Sequence, residues 1–163
     1  MIKKNHMTII LGLLMMFSCQ QNNVKTENLK IEDKMILKCI IFPTGMSSEV
    51  YLIKIFEDGK MDITFGEKNI KEDGDDFSKI VAAKSIILNE DNFKTIKMLH
   101  VELLKLDSIS NKNVKKGGWE VVLTAGNKKF HFYYGEMSTT VIGRIINEII
   151  KISPLKVDLH SWS

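Results

Sequence analysis

Apolar positions in this chain fall into three spacings: one unbroken run, several period-two stretches and two period-three-to-four stretches. The unbroken run is residues 7–17, apolar except for Thr8 and Gly12. Residues 20–33 are then rich in Asn, Gln, Lys and Glu and offer too little apolar surface to pack. Residues 35–42 are short, apolar and rich in β-branched side chains, and Pro43 and Gly45 close them off, which predicts a strand. Residues 50–57 and 60–65 predict two more strands, joined at Asp58-Gly59. As a two-residue type I′ loop, Asp-Gly would place Glu57 opposite Lys60 and Phe56 opposite Met61. Met61, Ile63 and Phe65 then share one face, with Lys60, Asp62 and Thr64 on the other.

Residues 67–76 are a charged loop containing Asp73-Gly74-Asp75-Asp76. Residues 80–88 are apolar without clear alternation, a strand or a connection. Asn89 is a good helix N-cap, followed by Glu90 and Asp91, which suit the positive end of the helix dipole. A helix is predicted to about Leu106, with Phe93, Ile96, Leu99, Leu103 and Leu106 as its buried stripe. Residues 108–118 are a loop. Residues 119–125 and 128–134 flank Gly126-Asn127, a second two-residue hairpin loop. Counting outward pairs Leu123 with Phe130, Val121 with Phe132 and Trp119 with Tyr134 on one face. Thr124 with Lys129, Val122 with His131 and Glu120 with Tyr133 fall on the other. A second helix, capped by Ser138 or Thr139, runs to Ile152 and ends before Pro154. Its apolar face is Val141, Ile142, Ile145, Ile146, Ile149 and Ile150, wide enough to lie across a sheet. Residues 157–162 alternate as a last edge strand would, or lie over the core. The implied fold class is α+β: an antiparallel β-sheet built from hairpins, with two helices packed on one face.

The unbroken run has another destiny. As a helix its eleven residues would span about 16 Å, against a bilayer core of about 30 Å. Lys3 and Lys4 precede it and Ser18-Cys19 follow it, the basic, apolar and small-residue order of a secretory signal. Met16-Phe17-Ser18-Cys19 resembles the lipobox of bacterial lipoproteins. Ser18 fits the small position before the cysteine, while Met16 and Phe17 depart from the usual Leu and small residue. The resemblance covers only the first nineteen residues. It implies cleavage before Cys19 and acylation of that cysteine. The organisation that follows is a signal peptide at 1–18, a flexible tether at 19–33 and one globular domain at 34–163. The membrane is thus an expected partner, through lipid on Cys19. The tether lacks the dense acidic cluster that follows the cysteine in surface-exported lipoproteins of some Gram-negative families. That resemblance implies an outer-membrane protein facing the periplasm.

Loss of Lys3 and Lys4 changes the charge balance. The chain has 23 Lys+Arg and 20 Asp+Glu, so cleavage leaves 21 bases against 20 acids, a net charge of +1. Nothing in that balance recruits nucleic acid. With Cys19 acylated, Cys39 has no disulfide partner and is expected as a small buried hydrophobe.

Candidate chemistry is sparse. Asp73-Gly74-Asp75-Asp76 lacks the alternate acids and distant Glu of a calcium loop. No metal-binding motif and no phosphate loop occurs, and no metal or cofactor is implied. His131, Glu120 and Tyr133 share the wet face of the second hairpin, and His160 and Ser161 lie in the tail. No nucleophile elbow accompanies them. His100, beside the helix stripe, is expected to be structural. Trp119, Phe130, Phe132 and Tyr134 either line a binding surface or, more simply, form core under a helix. The sequence therefore points to a non-enzymatic binding or adaptor module of the cell envelope, with an envelope protein as a candidate partner. An envelope hydrolase using His131 or His160, and a small-ligand or lipid carrier, are the alternatives.

Overall fold

Short strands with alternating burial pair into one sheet, and two amphipathic helices cover one of its faces. A computed structural model describes residues 34–45, 48–68, 75–110, 118–134 and 139–159. Cys19 and the tether lie outside these residues, as do His160, Ser161 and Trp162. The elements are β1 (Met35–Pro43), β2 (Glu49–Phe56), β3 (Lys60–Glu67), β4 (Lys79–Ile87), α1 (Glu90–Leu103), β5 (Ile109–Ser110), β6 (Trp119–Ala125), β7 (Lys128–Tyr133) and α2 (Val141–Ile152). The sheet order is β4-β3-β2-β1-β6-β7-β5. Six strands are antiparallel, and β5 adds to β7 in parallel. The first strand in sequence is thus the centre of the sheet, and it joins the two hairpins.

The α+β class with both helices on one face is what the hydrophobic spacing implies. Ile96, Leu99 and Leu103 of α1 and Ile142, Ile145, Ile146 and Ile149 of α2 are buried. They share one apolar cluster with Leu37, Cys39, Ile53, Met61, Val121, Leu123 and Phe130 from alternate strand positions. Each such side chain contributes about 1.5–3 kcal/mol on leaving water.

The second hairpin has the register counted from its loop: Leu123 opposite Phe130, Val122 opposite His131, Glu120 opposite Tyr133. Gly126 supplies the positive φ of 57° that a loop with Gly in first place needs. The first hairpin is shifted by one residue from expectation. Ile55, not Phe56, faces Met61, and Lys54 faces Asp62. The loop has three residues, Glu57-Asp58-Gly59. Asp58 keeps negative φ and its carboxylate accepts the Lys60 N–H at 2.9 Å, while Gly59 alone turns positive, at 86°. The shift places Ile55 in the core and Phe56 outside, with the Lys60 ammonium 5.0 Å from its ring centroid.

Three further boundaries differ. Asn89 caps α1 as expected, accepting the Asn92 N–H at 2.8 Å. The helix ends at Leu103 rather than near Leu106, because Lys105 and Leu106 donate to carbonyls only three residues back, a tighter turn. The α2 cap is Thr140, whose hydroxyl accepts the Gly143 N–H at 3.2 Å, and not Ser138 or Thr139. Of residues 80–88, expected as a strand or a connection, all but Leu88 belong to strand β4. Of the tail, Val157 and Leu159 pack against the core, and the Asp158 N–H donates to the Tyr51 hydroxyl at 3.3 Å. These residues lie over the core and form no strand.

Candidate functional site

On β6 and β7 the positions that turn away from the helices are Glu120, Val122 and Thr124, and Lys129, His131 and Tyr133. Glu120 and His131 are diagonal neighbours across the pair. Diagonal side chains of this length reach one another, and Nε2 of His131 lies 2.6 Å from Oε2 of Glu120. The histidine side chain is 33% exposed and the glutamate 15%. The Phe42 ring, from β1, stands 6.2 Å from the imidazole. Glu120 therefore holds the imidazole by one nitrogen and leaves Nδ1 for another partner. Tyr133 departs from expectation: it is buried, at 7% exposure, and is no surface group.

The other candidates separate. His100, on α1, lines a depression of about 260 Å³ with Ile36, Glu57, Phe93, Lys97 and Val101. Burial disfavours its charged form and holds its pKa below the ordinary histidine value. Cys39 is a free, buried thiol, and burial pushes its pKa far above the ordinary range. It is packing, not a nucleophile. Trp119, Phe130 and Phe132 are buried core, whereas Tyr134 is 36% exposed and donates to Oδ1 of Asn147 at 3.2 Å.

One cluster was not singled out from the sequence. Lys38 and Lys54 lie opposite each other on β1 and β2, on the face without helices. Both pair with Asp75, Lys38 at 2.6 Å. Desolvation raises the Asp75 pKa, but hydrogen bonds and charge from Lys38 and Lys54 outweigh it and hold the value below the ordinary one. Part of the charged loop is thereby pinned to the sheet. Beside it Leu52, Lys54, Asp62, Thr64, Asp75, Phe77 and Ile80 line a depression of about 180 Å³. The available signal was a single lysine inside each of two apolar runs, Ile36-Leu37-Lys38-Cys39 and Leu52-Ile53-Lys54-Ile55, where a charge needs a partner.

Among the described residues no three of His, Cys, Asp and Glu converge as a metal's ligands would. No described helix is long and apolar enough to cross a membrane. A scan against protein-family models finds no match, and a search of curated proteins finds none either.

Proposed function

We propose that this chain is a lipid-anchored protein of the bacterial cell envelope, whose α+β domain is a non-enzymatic binding or adaptor module. The observation that carries the anchor is the order of residues 1–19: Lys3-Lys4, the apolar run, then Ser18-Cys19. Two or more acyl chains hold a protein stably, each buried CH₂ adding about 0.8 kcal/mol, whereas one chain binds reversibly. The polar stretch 20–33 gives the domain reach from the outer membrane into the periplasm.

Support for a binding role is the exposed apolar surface the domain carries: Ile80, Val81 and Ile87 on β4, and Met98 and Val101 on α1. Such surface marks interaction sites when it is contiguous. A second reading rests on the His131–Glu120 contact, since a carboxylate-oriented imidazole is one part of a hydrolase site. It still needs a nucleophile and an oxyanion site.

Crosslinking of the full chain in intact cells, followed by fractionation and identification of captured proteins, tests the proposal. Membrane recovery that depends on Cys19, with one envelope protein captured through the domain, is the expected result. A Cys19→Ala chain that is cleaved and released normally would sink the lipid anchor.

A further inference from the structure

The two edges of the sheet are built differently. One edge is β5, only two residues long. The other is β4, nine residues long, whose single strand neighbour among the described residues is β3. Leu88 donates its N–H to the Gly59 carbonyl at 3.0 Å, and Ile87, Ile86 and Ser85 follow opposite Lys60, Met61 and Asp62. In an antiparallel ladder every second residue turns both its N–H and its C=O to the same neighbour. Leu88, Ile86 and Lys84 therefore address β3. Ile87, Ser85 and Ala83 point both groups away from the sheet, into the open edge. All three are exposed, Ile87 by 68%.

Natural sheets guard such an edge with lysines and bulges. The guards of β4 stand outside this stretch or turn from it. Phe65 faces Ala82 while Gly66 faces Ile80, so the bulge falls at Val81, before Ala83. Lys79 is tied to Glu67 at 3.1 Å, and Lys84 reaches back to donate to the Pro154 carbonyl at 3.2 Å. The outward-facing positions that remain, Ala83, Ser85 and Ile87, carry no charge, and among the described residues no strand covers them.

We propose that this edge is where a second copy of the chain docks, antiparallel, about a two-fold axis at Ser85. Ala83 of each copy then faces Ile87 of the other, and Ser85 faces Ser85. All the outward groups at 83, 85 and 87 are used, in a ladder of about six main-chain hydrogen bonds. No like charges meet directly, because Lys84 falls opposite Ile86. The ends are complementary in charge. Lys79 of one copy arrives beside the acidic first turn of α1 of the other, Glu90 and Asp91. The contact is isologous, so it closes as a dimer rather than growing as a fibre. The proposal stands on the sheet edge and is independent of the anchor at Cys19.

The test is Ser85→Cys in the full-length chain, oxidised in intact cells, with the wild-type chain as the background for Cys19 and Cys39. Directly opposed, hydrogen-bonded strand residues have Cα atoms about 5.5 Å apart, within disulfide reach. The expected result is a thiol-reversible band at twice the monomer mass, absent from wild type and from Met98→Cys, whose cysteine is exposed on α1. A second variant, Ser85→Pro, removes one outward N–H that β3 does not use, a change edge strands accept. Wild type purified in detergent is expected to be a dimer by light scattering, and the folded Ser85→Pro form a monomer; a monomeric wild type would overturn the proposal. A monomer band alone from Ser85→Cys would overturn the proposal. So would a crosslink to some other protein, which would make β4 a docking edge for a foreign strand.

Discussion

The two faces of the sheet use different physics. The helix-covered face is apolar at its centre: Leu37, Cys39, Ile53, Met61, Leu123 and Phe130 all lie at or below 1% exposure. The other face mixes apolar residues such as Leu52 and Phe42 with Lys38, Lys54, Asp62, Glu120 and His131. It answers burial with polar contacts, the ion pairs of Lys38 and Lys54 with Asp75 and the hydrogen bond between His131 and Glu120. A uniformly apolar face draws on burial alone and tolerates no gap. A mixed face must place every charge beside a partner, so its losses are smaller but depend on pH and salt.

The largest break should therefore come from the covered face. Leu123→Ala is expected to cost about 2–5 kcal/mol, measured by urea unfolding. Val122→Ala, one residue along and half-buried on the other face, should cost clearly less. An equal loss from both would erase the distinction.

Gly66 offers an intermediate effect through backbone crowding. A Cβ there would stand 2.1 Å from the Lys79 carbonyl oxygen, at the bulge between β3 and β4. Gly66→Ala is expected to destabilise by about 1–3 kcal/mol, as overpacking does, and to speed amide exchange in β4 more than in β6. Thr140→Ala removes the α2 cap that tops the covered face and should cost about 1 kcal/mol, with α2 fraying first by exchange.

The smallest effects are the pH-dependent ones, and they separate the layers. His100 sits in the helix layer with its pKa lowered from 6.5. The unfolded chain then takes up the proton first, so stability falls as pH drops below about 6.5. Asp75 is on the other face with its pKa lowered from 3.8. Its contribution is present above that value and fades as pH falls further. Asp75→Asn should flatten the lower step only, by about 0.2–1 kcal/mol for a partly exposed ion pair. His100→Gln should flatten the upper step only. Urea midpoints from pH 8 to 3 read both.

How much of this was legible depends on the range of each interaction. Gly126-Asn127 set its hairpin correctly because loop and register are local, and the shared face of Glu120 and His131 followed by counting. Asp58-Gly59 misled by one residue. The Asp58 carboxylate captures the Lys60 N–H, so the loop takes three residues and only Gly59 needs positive φ. That is side-chain chemistry a dipeptide signal does not carry. Strand β4 stayed undecided because an exposed edge has no face to keep apolar and so shows no alternation. The pairing of Asp75 with Lys38 and Lys54 was out of reach, since it requires the order of β1 and β2 in the sheet.

The proposed acyl anchor on Cys19 is read from the N-terminal peptide of the membrane-purified protein. Trypsin would release residues 19–25 from a chain cut before Cys19. Mass spectrometry is expected to find that peptide beginning at Cys19 and carrying acyl chains. A chain that begins elsewhere, or an unmodified Cys19, would contradict the account.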